Sequence, residues 1–265
     1  MIENKEELRE HIRKNYEGVA LKGSQGCGCG CNPSQREDNP LDVKELSLNL
    51  GYSESDLTNI PSDANMGLGC GNPIAIASLK EGESVLDLGS GGGFDCFLAR
   101  KQVGDTGFVI GVDMTSEMIK LSRKNAEESG YSNLEFRLGE IEHLPIADTS
   151  VDVIISNCVI NLSLEKEKVF KDAYRVLKHE GRLSISDIVA TAELPKHIKE
   201  DLSMMAGCIS GAEYIENIKK MLEDAGFVDI KMSPKDNSKQ ILRNWAPDRN
   251  IDDFVASFII EAQKR

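Results

Sequence analysis

Apolar residues recur at helical spacing from the start of the chain. Leu8, Ile12 and Tyr16 fall on one stripe, which predicts a helix over residues 1–22. Gly26 to Cys31 then alternates glycine with cysteine and ends at Pro33, a pattern that supports no regular element. Residues 35–42 are polar and read as solvated. A short helix over 42–50 stops at Gly51. A loop with Pro61, Asn65, Gly67, Gly69 and Gly71 follows, and Pro73 opens a helix to residue 79.

From residue 84 the pattern changes. Short apolar runs at 84–88, 108–112, 134–138, 151–156 and 182–188 read as strands. Helical patterns at 94–101, 116–129 and 165–177 lie between them. Thr115 and Ser163 suit the caps of the second and third, and Gly130 stops the second. Strands alternating with helices at this spacing predict an α/β fold with a doubly wound, mostly parallel sheet. The last third continues with a helix over 214–225 stopped by Gly226, a strand at 228–232, and a final strand over 253–262, where Phe254, Ala256, Phe258 and Ile260 alternate with Val255, Ser257 and Ile259. Residues 1–65 thus read as a helical and cysteine-containing segment, 66–190 as the core, and 191–265 as a cap with closing strands. The region after Ser210 is expected to lie over the acceptor site.

Composition narrows the classes. The chain has 265 residues, 40% of them apolar, enough for a sizeable core. Its 44 Asp and Glu against 31 Lys and Arg leave a net charge of -13, which argues against nucleic acid as a partner. The first ten residues carry no apolar targeting core. The longest apolar stretch, Val151 to Leu162, is broken by Asp152, Ser156, Asn157 and Asn161, and falls short of the ~20 residues of a membrane span. The expectation is a cytoplasmic protein without membrane contact. Seven cysteines are then notable, because a reducing compartment disfavours a disulfide framework. Such cysteines pack, ligate or react.

The first strand, Val85-Leu86-Asp87-Leu88, runs into Gly89-Ser90-Gly91-Gly92-Gly93 and a helix start. Such a turn lets a ligand approach the backbone and offers free N–H groups. The nicotinamide fingerprint fails, because Phe94 stands where its third glycine would be. An acid inside a buried strand is costly without a partner, so Asp87 reads as functional. Asp113 ends the second strand, where an acid can hold ribose hydroxyls. Gly139-Glu140-Ile141-Glu142 follows the third strand. Together these segments resemble the motifs of class I S-adenosylmethionine methyltransferases. That resemblance implies cofactor binding by Asp87, Gly89, Ser90, Gly91, Gly93, Asp113, Met114, Glu140, Ile141 and Asn157.

Strand four ends at Ser156-Asn157-Cys158, at the carboxyl edge where ligands of such sheets bind. The Asn/Asp-Pro-Pro-aromatic pattern of amino-directed nucleic-acid methyltransferases is absent there. Cys70 and Cys208 lie in glycine-flanked loops, unlike Cys96, which reads as helix packing. Thiolates suit a soft centre. The four histidines, His11, His143, His179 and His197, form no catalytic constellation. The segments Gly67 to Pro73, Val85 to Cys96, Gly139 to Pro145 and Ile155 to Asn161 resemble microbial arsenite methyltransferases, over about residues 60–230.

That resemblance implies methyl transfer to As(III), with Cys158 and Cys208 as the core ligand pair and Cys70 joining them in binding and turnover. It also implies a thiol reductant, glutathione or thioredoxin. The Cys27, Cys29, Cys31 tract matches an N-terminal cysteine region of that family only loosely. Cys31 is taken as its catalytic member, although any of the three could serve; zinc binding is the alternative use of the tract. Two rival readings of the chain are a methyltransferase for a small organic acceptor and a non-enzymatic metalloid-binding protein.

Overall fold

The second residue of each apolar strand pair faces the opposite way from the first, and both faces of the sheet are covered. The computed structural model describes residues 5–22, 43–58, 60–245 and 249–265. Its elements in chain order are α1 (Lys5–Lys22), α2 (Val43–Leu50), α3 (Glu54–Leu57), α4 (Pro73–Ala77), β1 (Ser84–Leu88), α5 (Phe94–Val103), β2 (Phe108–Asp113), α6 (Ser116–Ser129), β3 (Leu134–Leu138), β4 (Val151–Asn157), α7 (Lys166–Val176), β5 (Leu177–Ala190), α8 (Lys196–Lys199), α9 (Leu202–Ala206), β6 (Glu213–Tyr214), α10 (Ile215–Ala225), β7 (Phe227–Pro234), α11 (Ser238–Trp245) and β8 (Val255–Lys264).

The strands form one sheet in the order β3-β2-β1-β4-β5-β8-β7, with short β6 beside the end of β5. β1 to β5 are mutually parallel, whereas β8 runs antiparallel to both β5 and β7. Val85, Val109 and Val153 face Phe97, Ala99 and Ile119 of α5 and α6. Leu86, Ile110 and Ile154 face Phe170 and Ala173 of α7, and Ile218 and Leu222 of α10. A strand buried on both faces needs a continuous apolar run, which is why the sequence pattern marked these strands so clearly. The strand order reverses between β1 and β4, and a crevice opens beyond their carboxyl ends.

The α/β, doubly wound, mostly parallel sheet is as the sequence implied, including the final strand β8. Several local expectations are corrected. The stretch after Gly51 is not all loop: Ser53 caps α3 through a reciprocal bond with Asp56. Thr115 occupies the N-cap position of α6, but its side chain makes no capping bond. Glu165, not Ser163, is the N-cap residue of α7; the Ser163 hydroxyl accepts the Glu165 N–H at 3.1 Å, one step earlier. Helices α8, α9 and α11 escaped the sequence reading because each is short and lies in a stretch of mixed polarity. The region after Ser210 mostly returns to the sheet as β7 and β8; Trp245 is its contribution to the wall of the crevice. No described helix is long and apolar enough to cross a membrane.

Candidate active site

The crevice holds an empty volume of ≈ 1050 Å³, counting its open mouth. One end is the turn after β1. Gly89 sits at φ 70, and a Cβ there would collide with the Val159 side chain, so the turn needs glycine. The carboxylate of Asp113 braces the same turn: its Oδ2 accepts the Gly91 N–H at 3.0 Å and its Oδ1 the Thr115 N–H at 2.8 Å. Burial raises the Asp113 pKa against those two backbone bonds.

Gly89, Gly91, Asp113, Met114, Glu140, Ile141 and Asn157 all line this one crevice. The structure thus brings together seven of the ten residues expected at the cofactor. Asp87, Ser90 and Gly93 lie behind the surface, in the framework of the turn. Asp87 is 3% exposed and accepts a hydrogen bond from the Cys96 thiol at 3.2 Å. Cys96 is therefore more than packing, since it supplies a partner that a buried acid needs. Burial first, and then the nearby Asp95 charge, push the Asp87 carboxyl well above the usual range.

Two hydroxyls on this framework, Ser90 Oγ and Thr115 Oγ1, are buried without a hydrogen-bond partner. A glycine turn open to the crevice, with the Asp113 carboxylate and Thr115 beside it in the wall, fits a bound ligand rich in hydroxyl and amino groups. The donor set therefore fits S-adenosylmethionine. Helix α1 closes the crevice from the other side through Arg9, Ile12 and Tyr16. Arg13 pairs with Glu140 at 3.4 Å, and the Tyr16 hydroxyl donates to the Ala206 carbonyl at 3.0 Å. In the sequence Ile12 and Tyr16 show only as a helical stripe; their place in the wall comes from the seat of α1 on the crevice.

The other end of the crevice is sulfur. Cys158 follows β4, and Cys208 follows α9; both line the crevice. The sulfur of Cys70 lies within 4.8 Å of that of Cys158, and the Cys208 thiol donates to the Cys158 carbonyl at 2.7 Å. Three loops distant in sequence thus converge. Cys158 and Cys208 hold left-handed backbone, φ 57 and 63, which a residue with a Cβ adopts at a cost of about 1–2 kcal/mol. Strain of this kind is kept where the neighbouring structure demands a position. Burial raises the Cys158 thiol well above its ordinary value, and the adjacent Cys208 and Cys70 thiols add to the effect. Cys208 is pulled down most by its interaction with Cys158, but burial together with the neighbouring Asp187 and Cys70 outweighs this and leaves it raised. Cys31 lies outside the described residues, as do Cys27 and Cys29.

A buried network ties the two ends together. Asn157 Nδ2 donates to the Gly71 carbonyl at 2.9 Å, to the Tyr52 hydroxyl at 3.0 Å and to Asp95 Oδ2 at 3.2 Å. Tyr52 in turn donates to Asp95 Oδ1 at 2.7 Å. Burial raises Asp95 to about 6, against the bonds from Tyr52 and Asn157.

Asp187 was also missed. It lies in β5 with one oxygen within 4.8 Å of the Cys70 and Cys158 sulfurs. The signal was available, because an acid inside Leu183-Ser184-Ile185-Ser186-Asp187-Ile188 raises the same question as Asp87. None of the four histidines lines the crevice.

Comparison with known proteins follows the same lines. A methyltransferase domain profile matches residues 79–226. The arsenite methyltransferase of Halobacterium salinarum is 48% identical over 98% of the chain, which spans 67% of that protein. The mouse arsenite methyltransferase is 35% identical over 87% of the chain, which spans 61% of it. Among solved structures, an arsenic(III) S-adenosylmethionine methyltransferase from Chlamydomonas reinhardtii superposes with a TM-score of 0.62 at 30% identity, covering 84% of this chain and 73% of that one.

Proposed function

The chain belongs to the arsenite methyltransferase family of class I methyltransferases, and from that membership we propose that Cys158, Cys208 and Cys70 hold As(III) while it accepts a methyl group from S-adenosylmethionine. The observation that carries the assignment of residues is the place of Cys158: it lines the crevice beside Cys208, its sulfur lies within 4.8 Å of that of Cys70 buried behind the wall, and the other end of the crevice is the Asp113-braced glycine turn. In this reading residues 1–65 supply the α1 wall and the N-terminal thiols, 66–190 the cofactor framework, and 191–265 Cys208 and the closing strands.

The cofactor, when bound, offers an electrophilic methyl on a sulfonium. Asp113 and Met114 hold its ribose, Glu140 and Ile141 flank its adenine, and Asp87 stabilises the turn at its methionine end. As(OH)₃ exchanges its hydroxyls for three thiolates, each thiol proton leaving with a hydroxyl as water. The resulting pyramidal arsenic keeps a lone pair, and that pair forms the As–C bond in line with the departing sulfur. No proton is removed in this step, in keeping with a crevice wall that carries no histidine. The chain's work is orientation and exclusion of water.

The transfer leaves arsenic formally pentavalent. A further round needs two electrons, which a dithiol gives as it becomes a disulfide. Cys31, or its neighbours Cys27 and Cys29, supply one sulfur in this reading and Cys70 the other; glutathione or thioredoxin then resets the pair. Helix α1, which precedes residues 23–42, lines the crevice through Tyr16, and α2, which follows them, sets Val43 and Leu46 beside Gly67, a residue of the crevice wall. The test is release of S-adenosylhomocysteine by purified protein with arsenite and glutathione, beside Cys158→Ser. Arsenite-dependent release that disappears in the variant is expected. Tight cofactor binding without any such release would transfer the assignment to a small organic acceptor.

A further inference from the structure

The sulfur end of the crevice is not purely sulfur. Cys70 Sγ, Cys158 Sγ and a carboxylate oxygen of Asp187 lie within 4.8 Å of one another, and all three residues are buried, at 0%, 8% and 2% exposure. From this juxtaposition we propose a second ligand class for the site: Cys70, Cys158 and Asp187 form a binding site for a thiophilic divalent cation, zinc above all, which excludes arsenic from the same two thiols.

The donor set separates the two ligands. Trivalent arsenic is satisfied by thiolates. Zinc takes thiolate and carboxylate together, in a tetrahedron with Zn–S about 2.3 Å and Zn–O about 2.0–2.2 Å, which sets ligands roughly 3.5–3.8 Å apart. The three donors need to close by about an ångström at most to meet that spacing. Asp187 is already oriented as a ligand should be. Its Oδ1 accepts the Ile188 N–H at 2.7 Å and the Asn161 side-chain amide at 2.9 Å, and its Oδ2 accepts the Ile160 N–H at 2.9 Å. Oδ1 is filled by its two bonds, Oδ2 keeps a lone-pair site for a ligand, and the outer bonds hold the carboxylate in place.

The surroundings suit an anionic cluster. Lys235 acts on Cys70 and Cys158, and Lys166 on Asp187 and Cys208. Lys235 is anchored on the Leu50 carbonyl at 2.9 Å and Lys166 on the Ser163 carbonyl at 3.0 Å. Two thiolates, one carboxylate and Zn²⁺ sum to one negative charge, and two ammonium groups stand beside it. Binding releases the two thiol protons to solvent and moves no electron.

The zinc arms of the test do not depend on the arsenic reading, whereas the exclusion arm rests on it. The full chain is used with Cys27, Cys29 and Cys31 replaced by Ser, so that the N-terminal thiols contribute nothing. Zinc retained after gel filtration is counted, and Co²⁺ is titrated for its sulfur-to-cobalt charge-transfer band and tetrahedral visible bands. Stoichiometric zinc and both cobalt signatures are expected, together with suppression of arsenite binding. Cys70→Ser, Cys158→Ser and Asp187→Asn should each weaken zinc at least about tenfold, since loss of an outer partner alone costs 10–100-fold. Cys208→Ser should retain it. S-adenosylhomocysteine affinity checks that each variant is folded, and Asp187→Glu, which keeps a carboxylate, should recover part of the loss.

No zinc above that of a Cys70→Ser, Cys158→Ser double variant overturns the proposal. So does zinc that survives Asp187→Asn but is lost in Cys208→Ser, which would mean an all-sulfur site. Zinc binding by this variant, with no arsenite-dependent S-adenosylhomocysteine release by the zinc-free native chain, would leave this site standing and defeat the arsenic reading; such release without zinc binding would do the reverse.

Discussion

The side-chain carbonyl of Asn157 accepts the backbone N–H of Cys70 at 3.0 Å, while the amide of the same side chain donates to the Gly71 carbonyl. One residue at the tip of β4, in the wall of the crevice, thereby sets the position of a thiol 87 residues away in sequence. Replacing it leaves buried backbone groups unpaired, at about 1–3 kcal/mol. Asn157→Ala is expected to lower arsenite-dependent kcat/KM by roughly 5- to 150-fold. Initial-rate measurement at varied arsenite checks this, and an unchanged rate would show that Cys70 holds its place without the bridge.

Cys96 donates to Asp87, so its removal should act on the fold beneath the glycine turn. Cys96→Ala is expected to destabilise by about 1–3 kcal/mol, because it leaves the Asp87 carboxylate short of a donor. Thermal unfolding reads this as a Tm lower by roughly 2–4 °C per kcal/mol. Cys96→Ser keeps a donor and should recover part of the difference. Equal melting of both variants with the native chain would return Cys96 to a packing role.

Asp187 has its carboxyl raised to about 6, chiefly by burial, against the bonds from Ile188 and Ile160. The unfolded chain ionises this group near 3.8, so the folded state holds its proton more tightly. The stability it contributes is present below that value and is lost as pH rises to about 6. Over that window the loss is about 3 kcal/mol, and above it the dependence is flat. Asp187→Asn lacks this titration. The variant, measured against the native chain by denaturant unfolding, should therefore gain relative stability between about pH 4 and pH 6, and a difference independent of pH would contradict the raised carboxyl.

Gly71 follows Cys70 where three elements meet. A Cβ there would collide with the Ser186 hydroxyl and come within 2.9 Å of Lys235 Nζ. Overpacking of this kind costs about 1–3 kcal/mol. Gly71→Ala should lower Tm and weaken arsenite binding, with much less change in S-adenosylhomocysteine affinity, because Asp113 and the glycine turn lie at the other end. Calorimetric titration with each ligand separates the two effects.

What the sequence determined by itself was the sheet and the cofactor end. β1, β2 and β4 are buried on both faces and edge strand β3 alternates, so apolar runs, periodicity and glycine stops located them, and the acids Asp87 and Asp113 stood out against that background. These signals are local: a strand, its turn and its next helix lie within about thirty residues of one another. The sulfur end was legible only as three glycine- or strand-flanked cysteines. Their convergence depends on where α9 and the loop before α4 return to the carboxyl edge, and contacts of that sequence separation leave no periodicity to read. Tyr52, Asp95 and the wall formed by α1 were decided by tertiary structure alone. A polar side chain declares its role through what it is buried against, and its partners in these cases come from other elements of the fold.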